Sequence, residues 1–304
     1  MTRSWLGRLV LQLVVPVALV ALWWQTSENS TSFFYPPLSR IVDKLEEDWL
    51  FEQVGTDLVP SLARFTVGYL IAAAAGIALG TLIGLAPRVR RAGQPVIEFL
   101  RSIPPPLLLP FVLVVVGIGN ASKITLIAIG SVWPVLLNTI DGVRGVDPQM
   151  LDMARSFGIG RRTQITRVIL PAASPKIAVG MRTSLSVALI LMVISEMQGS
   201  TNGLGFQVLS AQRSFDSAGT YAGVIVIGVV GLVVNLGFLV AERWIMRWHR
   251  GARGLLEDTD RRRGPIRRAR ARGGRAPVRD AAPPTGEPPM VGTIGNKGTT
   301  GTTA

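Results

Sequence analysis

The chain has 304 residues, 48% of them hydrophobic and 17% charged, below the roughly 25% charged residues of a typical soluble domain; the apolar residues fall in long runs, which indicates a polytopic membrane protein. One His and no Cys exclude disulfides, thiol catalysis and cysteine-ligated metal, and leave too few imidazoles for a His-based metal site or triad. The formal net charge of +13 fits the basic loops of such a protein better than a nucleic-acid partner.

Residues 1–25 hold a first span. Arg3 and Arg8 precede the apolar stretch Leu9 to Trp24, which closes on the pair Trp23-Trp24, an interfacial belt. No small-x-small cleavage site follows, and Pro16 and the bulky end suit an uncleaved span better than a signal peptide. Residues 26–59 are polar. Within them Leu38, Ile41, Val42, Leu45 and Trp49 outline an amphipathic helix along the membrane surface. Glu28, Asp43, Glu46, Glu47, Asp48, Glu52 and Asp57 outnumber Arg40 and Lys44, so this segment is expected to be extracytoplasmic.

Residues 60–248 are expected to form the transmembrane core. Its second span, Pro60 to Ala86, repeats glycine at Gly76, Gly80 and Gly84, a spacing that lets helices approach closely in lipid. Arg88, Arg90 and Arg91 mark a turn before the third span, Pro95 to Ile118. There Pro104, Pro105, Pro106 and Pro110 cannot all sit in a regular helix, because each lacks a donor and crowds the preceding turn. The span is expected to break. Broken backbone survives in lipid where protein shields it or where it faces a water-filled cavity, so Pro104, Pro105 and Pro106 read equally as a pathway element and as a structural kink.

The outer turn GIGNASK leads to the fourth span, Ile124 to Ile140, which carries Pro134. The fifth span is Ile177 to Met197 and the sixth Tyr221 to Trp248. Arg182, towards the inner end of the fifth, reads as a snorkelling or loop-pairing residue rather than a substrate ligand. Glu196, near the outer end, can pair with a cation, cap a helix end or line the translocation path. The run GSTNGLG from Gly199 is expected in an outer or partly re-entrant loop. Residues 249–304, rich in Arg, Gly, Pro and Thr, are expected to be a disordered basic tail.

Between the fourth and fifth spans, residues 147–175 read DPQMLDMARSFGIGRRTQITRVILPAASP. Asp147 suits an N-cap and Pro148 the first helical position. Met150, Met153, Ala154 and Phe157 then share one face of a short helix. Gly158 and Gly160 suit its end and a sharp reversal. A second short helix carries Ile165, Val168 and Ile169 on one face, with Pro171 and Pro175 expected to interrupt it. The pair is too short to cross a bilayer and bears Arg155, Arg161, Arg162 and Arg167. It reads either as a basic loop on lipid headgroups or as a rigid knob that docks into a soluble partner.

Six spans alternating from an inner N-terminus put Arg3, Arg8, Arg88, Arg90, Arg91, the 147–175 loop and the basic tail on one side, and leave Arg40, Lys44, Lys123 and Arg213 on the other. That bias predicts a cytoplasmic loop and cytoplasmic termini. No G-x-x-x-x-G-K-[ST] run is present, and GNKGTTG in the tail has the wrong spacing, so the chain cannot hydrolyse ATP by a P-loop. The spans offer no suitably paired acids for a membrane protease. The chain is expected not to be an enzyme.

The spacing D-M-A-x-x-x-G-x9-V-x-L-P, from Asp152 to Pro171, resembles the EAA loop of ABC importer permeases. Asp152 stands at the Glu place, Met153 and Ala154 at Ala-Ala, Gly158 at the glycine and Val168 at the Ile, while Leu170 and Pro171 match directly. The stretches RSIPPPLLLPFVLVVVGIGNASKI, VWPVLLNTIDGVRGVDPQMLDMARSFG, RVILPAASPKI and ISEMQGSTNGLG are similar to the nitrate, sulfonate and taurine branch of that family, over about Leu38 to Trp248. The resemblance implies an all-α polytopic protein with six transmembrane helices in the type I (MetI-like) permease fold. It further implies a homodimer of permeases in the inner membrane, each gripping a cytoplasmic ATP-binding subunit. Asp152, Met153, Ala154, Phe157, Gly158, Val168, Leu170 and Pro171 would be the coupling residues. A solute-binding protein would deliver a small anion outside, ATP would sit on the partner subunit and this chain would carry no cofactor. The basic tail departs from the common pattern. A self-sufficient secondary transporter is the competing reading, although the tandem inverted halves of such carriers are not evident.

Overall fold

The structure, a computed structural model, describes residues 3–49 and 53–245, with side chains from 14 to 48 and from 53 to 245. Trp248, His249 and the basic tail expected over 249–304 lie outside the described residues. Among those described, every regular element is helical. Four helical runs are long and apolar enough to cross a membrane: Val54–Leu85, Asn120–Arg144, Arg161–Met197 and Ser217–Ile245. A fifth crossing is made if Pro87–Ser102 and Pro105–Val116 count as one bent span. The first expected span falls in α1 (Arg3–Ser27), whose apolar described part is Val14–Ser27.

The core is built by α3 (Val59–Leu85), α6 (Asn120–Arg144) and α9 (Leu170–Met197). Glycine sets the α3–α6 contact. A Cβ on Gly68 would come within 2.7 Å of Ile127, on Gly76 within 2.7 Å of Val135, on Gly80 within 2.6 Å of Thr139 and on Gly84 within 3.0 Å of Val143. Those positions carry no side chain because the facing helix occupies the space, the close approach expected of a small-residue stripe in lipid. The partners advance in step, so α3 and α6 run parallel. Gly180 of α9 meets Asn138 and Pro134 of α6, while Gly130 of α6 meets Leu191. Hence α9 runs antiparallel to α6, and the Ser184 hydroxyl donates across to the Ser131 carbonyl at 2.6 Å.

The return between α3 and α6, where the third span is expected over Pro95 to Ile118, breaks at its prolines as the sequence requires. It divides into α4 (Pro87–Ser102), a 3-10 turn over Pro105–Leu108 and α5 (Leu109–Val116), bent by 86°. Ile103, the residue before Pro104, is extended, with φ −74° and ψ 119°, and ends the helical run. α4 buries none of its residues; Val89, Val96, Phe99 and Leu100 are exposed on one side, with Arg90, Arg91, Gln94 and Arg101 on the other. That pattern is of a helix lying in an interface rather than crossing one. α5 packs Leu109 and Val112 against Leu126 of α6.

At the other ends of the core helices, α2 (Leu38–Trp49), the amphipathic helix expected between the first two spans, packs its apolar side on the bundle. Leu38 and the fully buried Ile41 join the main core with Ala218 and Ala222 of α11 (Ser217–Ile245). The Ser27 hydroxyl, buried at the end of α1, accepts from the Leu38 amide at 3.1 Å and so satisfies one orphan donor of α2. Trp23 packs on Tyr221 with ring centroids 6.1 Å apart, and the Tyr221 hydroxyl donates to the Phe34 carbonyl at 3.1 Å.

Candidate functional site

The loop after α6 folds into α7 (Pro148–Ser156) and α8 (Arg161–Gln164). The Asp147 carboxylate accepts from the Gln149 amide at 2.9 Å, and Pro148 opens the helix where its missing N–H is not needed. At the far end, Gly158 takes φ +64°, with its amide bonded to the Arg155 carbonyl and the Ile159 amide to that of Ala154, at 2.9 and 3.0 Å. This left-handed cap reverses the chain.

α8 does not end at the prolines. A π turn over Ile165–Ile169 joins it to α9, and Arg161 to Met197 is one helical run. Pro171 sits in the first turn of α9, and the carbonyl that Pro175 leaves without a donor, that of Pro171, accepts from the Ser174 hydroxyl at 2.8 Å. The expected interruption at Pro171 and Pro175 is therefore absent, and the knob is one arm of a core helix.

The helical face read from sequence divides. Met153 and Phe157 are 57% and 82% exposed, with Met150 beside them. Ala154 turns the other way and is buried. Asp152 is exposed and pairs with Arg155 at 3.0 Å. Val168, Leu170 and Pro171 are half-buried along the arm, where Leu170 packs on the cluster of Val143, Val146, Ile169, Ala173 and Ile177. At the proline break, Pro104 is exposed, and Pro105 and Pro106 are half-buried. Pro105 packs beside Gly130 of α6 and Leu191 of α9.

At the opposite end of α9, Glu196 is fully buried. Its carboxylate accepts from Arg64 at 2.8 Å, from the Ser61 hydroxyl at 2.7 and 2.8 Å and from the Gly205 amide at 3.1 Å. Arg64, on α3, also donates to Asn120 at 2.8 Å and to both the carbonyl and the side-chain oxygen of Asn202. Asp57, likewise buried, accepts from the Gly203 amide at 2.6 Å and from Gln207 at 3.0 Å. Two carboxylates thus meet the first amides of α10 (Leu204–Arg213), where anionic groups are favoured. Gly203 has φ +117°, and a Cβ there would lie 2.6 Å from the Glu196 carboxyl. The GSTNGLG run is folded onto this network. Sequence reasoning does not single out Arg64, Ser61, Asn120 or Asn202; a lone arginine inside an apolar run is the one available signal.

The chain matches the family described as binding-protein-dependent transport system inner membrane component over residues 72–250. It is 31% identical over 244 residues to SsuC of Bacillus subtilis (strain 168), a permease named for aliphatic sulfonates, covering 80% of this chain and 88% of that protein. Its identity to the taurine transport system permease protein TauC of Escherichia coli (strain K12) is 32% over 238 residues, covering 76% of this chain and 86% of that one. The nitrate import permease protein NrtB of Leptolyngbya laminosa is 31% identical over 217 residues, covering 67% and 78%. In fold, the chain is similar to a chain of the MetNI methionine ABC transporter in an inward-facing conformation, with TM-score 0.54, 18% identity, and coverage of 62% of this chain and 94% of that one.

Proposed function

The chain belongs to the family of binding-protein-dependent transport system inner membrane components, and from that premise we propose that its knob, Pro148 to Ile169, couples it to a separate ATP-binding subunit. The chain is the membrane-spanning permease of an ABC importer. The coupling role rests on one observation: Met153 and Phe157 stand exposed on a short helix that is capped at both ends and joined by a sharp reversal to α9. Large apolar side chains held out on a rigid element suit a groove in a soluble partner. Asp152, Gly158, Val168, Leu170 and Pro171 would shape and anchor the knob, while Met153 and Phe157 would touch the partner. Ala154 would act from inside.

The transport cycle would be alternating access. ATP on the partner would favour one of two states, and the knob would pass that preference to α9, since a ligand moves an equilibrium only by its differential affinity. The solute would be a small anion, sulfonate, taurine or nitrate-like, as the names of the relatives suggest. An extracytoplasmic binding protein would deliver it to a permease pair, with the knob and both termini in the cytoplasm and the path passing the Pro104 to Pro106 break and Glu196. No cofactor would bind this chain.

The test is reconstitution in proteoliposomes with and without the cognate ATP-binding subunit and binding protein. Uptake is expected to require both and ATP. Uptake by this chain alone under an ion gradient would support the secondary-transporter reading instead.

A further inference from the structure

In the bundle, most polar side chains on membrane helices are satisfied. Ser131, Ser184, Ser195, Thr81 and Asn138 donate to backbone carbonyls, and Arg64 and Glu196 pair. Arg182 does not follow this pattern. It lies on α9, exposed, and its guanidinium has no hydrogen-bond or ion-pair partner among the described residues, loops included. Ser186, one turn further along the same side, is also exposed, and its hydroxyl also lacks a partner among the described residues. Thr183 lies between them, exposed, with its hydroxyl bonded back to the Val179 carbonyl at 3.1 Å.

Depth sharpens the anomaly. At 1.5 Å rise per residue, Arg182 lies about 22 Å and Ser186 about 16 Å along α9 from Met197. Both fall within a hydrocarbon layer about 30 Å thick if Met197 stands at its edge. Snorkelling brings a long side chain to the nearer headgroups, but it does nothing for a serine at mid-depth. A polar side chain without a partner at such depth faces water or protein, not lipid.

We infer that the Arg182–Thr183–Ser186 face of α9 lines a water-filled part of the permeation path and holds an anionic solute in passing. The guanidinium offers a charge-assisted fork to a sulfonate, carboxylate or nitrate group, and the Ser186 hydroxyl a further donor. A fixed cation whose partner is mobile solute has no need of an internal counter-ion. The anion class rests on the proposed importer function, whereas the water-lined face does not, and the two separate in the test.

Because the chain has no Cys, single cysteines can be read without background. Ser186→Cys in the full chain, in membrane vesicles, is treated with the sulfonate-bearing and the trimethylammonium-bearing methanethiosulfonate reagents, with Val233→Cys, at an exposed valine in the apolar run of α11, as the control. Ser186→Cys is expected to react and Val233→Cys not to. The anionic reagent is expected to be faster by about tenfold, a difference of the size that one nearby charge confers in a confined site. That preference is expected to vanish in Arg182→Gln/Ser186→Cys and to persist in Arg182→Lys/Ser186→Cys, both checked for monodisperse elution. An unreactive Ser186→Cys, sealed by lipid or by a second copy, would overturn the inference. So would an anion preference unchanged in the glutamine variant. Neither result depends on an ATP-binding partner, so failure here leaves the coupling role standing.

Discussion

At the scale of single residues, the Arg64–Glu196 pair is the most consequential feature, with side-chain exposures of 5% and 0%. Two charges taken from water are held because each is paired and hydrogen-bonded, Glu196 through both oxygens and Arg64 through all three nitrogens, so loss of one partner leaves the other charge buried and uncompensated. Glu196→Ala is expected to reduce stability by about 3–5 kcal/mol, read as a lower unfolding temperature in detergent. Replacing both, as Arg64→Met with Glu196→Leu, is expected to restore part of the loss, because no lone charge remains. A Glu196→Ala protein as stable as the parent would show that the network contributes nothing. Ala154 and Phe157 make a second contrast. Sequence periodicity places them on one docking face, yet Ala154 is buried within the chain and Phe157 is 82% exposed. Phe157→Asp is therefore expected to abolish co-purification of the ATP-binding subunit with unchanged stability of the permease. Ala154→Asp is expected to destabilise the permease itself.

At the scale of elements, the α3–α6 contact depends on absent side chains. A Cβ on Gly80 would lie 2.6 Å from Thr139 Cβ and 2.9 Å from the Leu136 carbonyl; backbone cannot step aside as a flexible side-chain end can. Gly80→Leu is expected to cost about 1–3 kcal/mol by overpacking, visible as lower thermal stability, whereas Gly93→Leu, where a Cβ would meet nothing within 4 Å, is expected to be neutral. The glycine stripe can be read from spacing, but its partner cannot, since nothing local identifies α6. Likewise α7 is legible because Asp147, Pro148 and Gly158 are local signals. The continuity of α8 into α9 is hidden, because the π turn over Ile165–Ile169 and the Ser174 hydroxyl compensate for the prolines in ways that single-residue rules do not anticipate.

At the scale of the whole molecule, hydropathy marks the long helices, and the four proline positions mark the break, but the 86° bend that lays α4 aside requires the fold. The fold also separates two ends of the bundle, which makes the sidedness suggested by charge bias testable. Phe34 bonds through its carbonyl to Tyr221 near the start of α11, at the end of the bundle that holds the Glu196 network. Phe157 follows α6 at the opposite end. The 25 residues of α6 rise about 37 Å, enough to cross a hydrocarbon core of about 30 Å. The two phenylalanines, 81% and 82% exposed, are then expected on opposite sides of the membrane. In intact cells a membrane-impermeant maleimide is expected to label Phe34→Cys and spare Phe157→Cys, and in permeabilised cells to label both. Labelling of Phe157→Cys alone in intact cells would invert the orientation and place the knob beyond reach of any cytoplasmic ATP-binding subunit. Labelling of both there would break the link between helix length and crossing on which the sidedness rests.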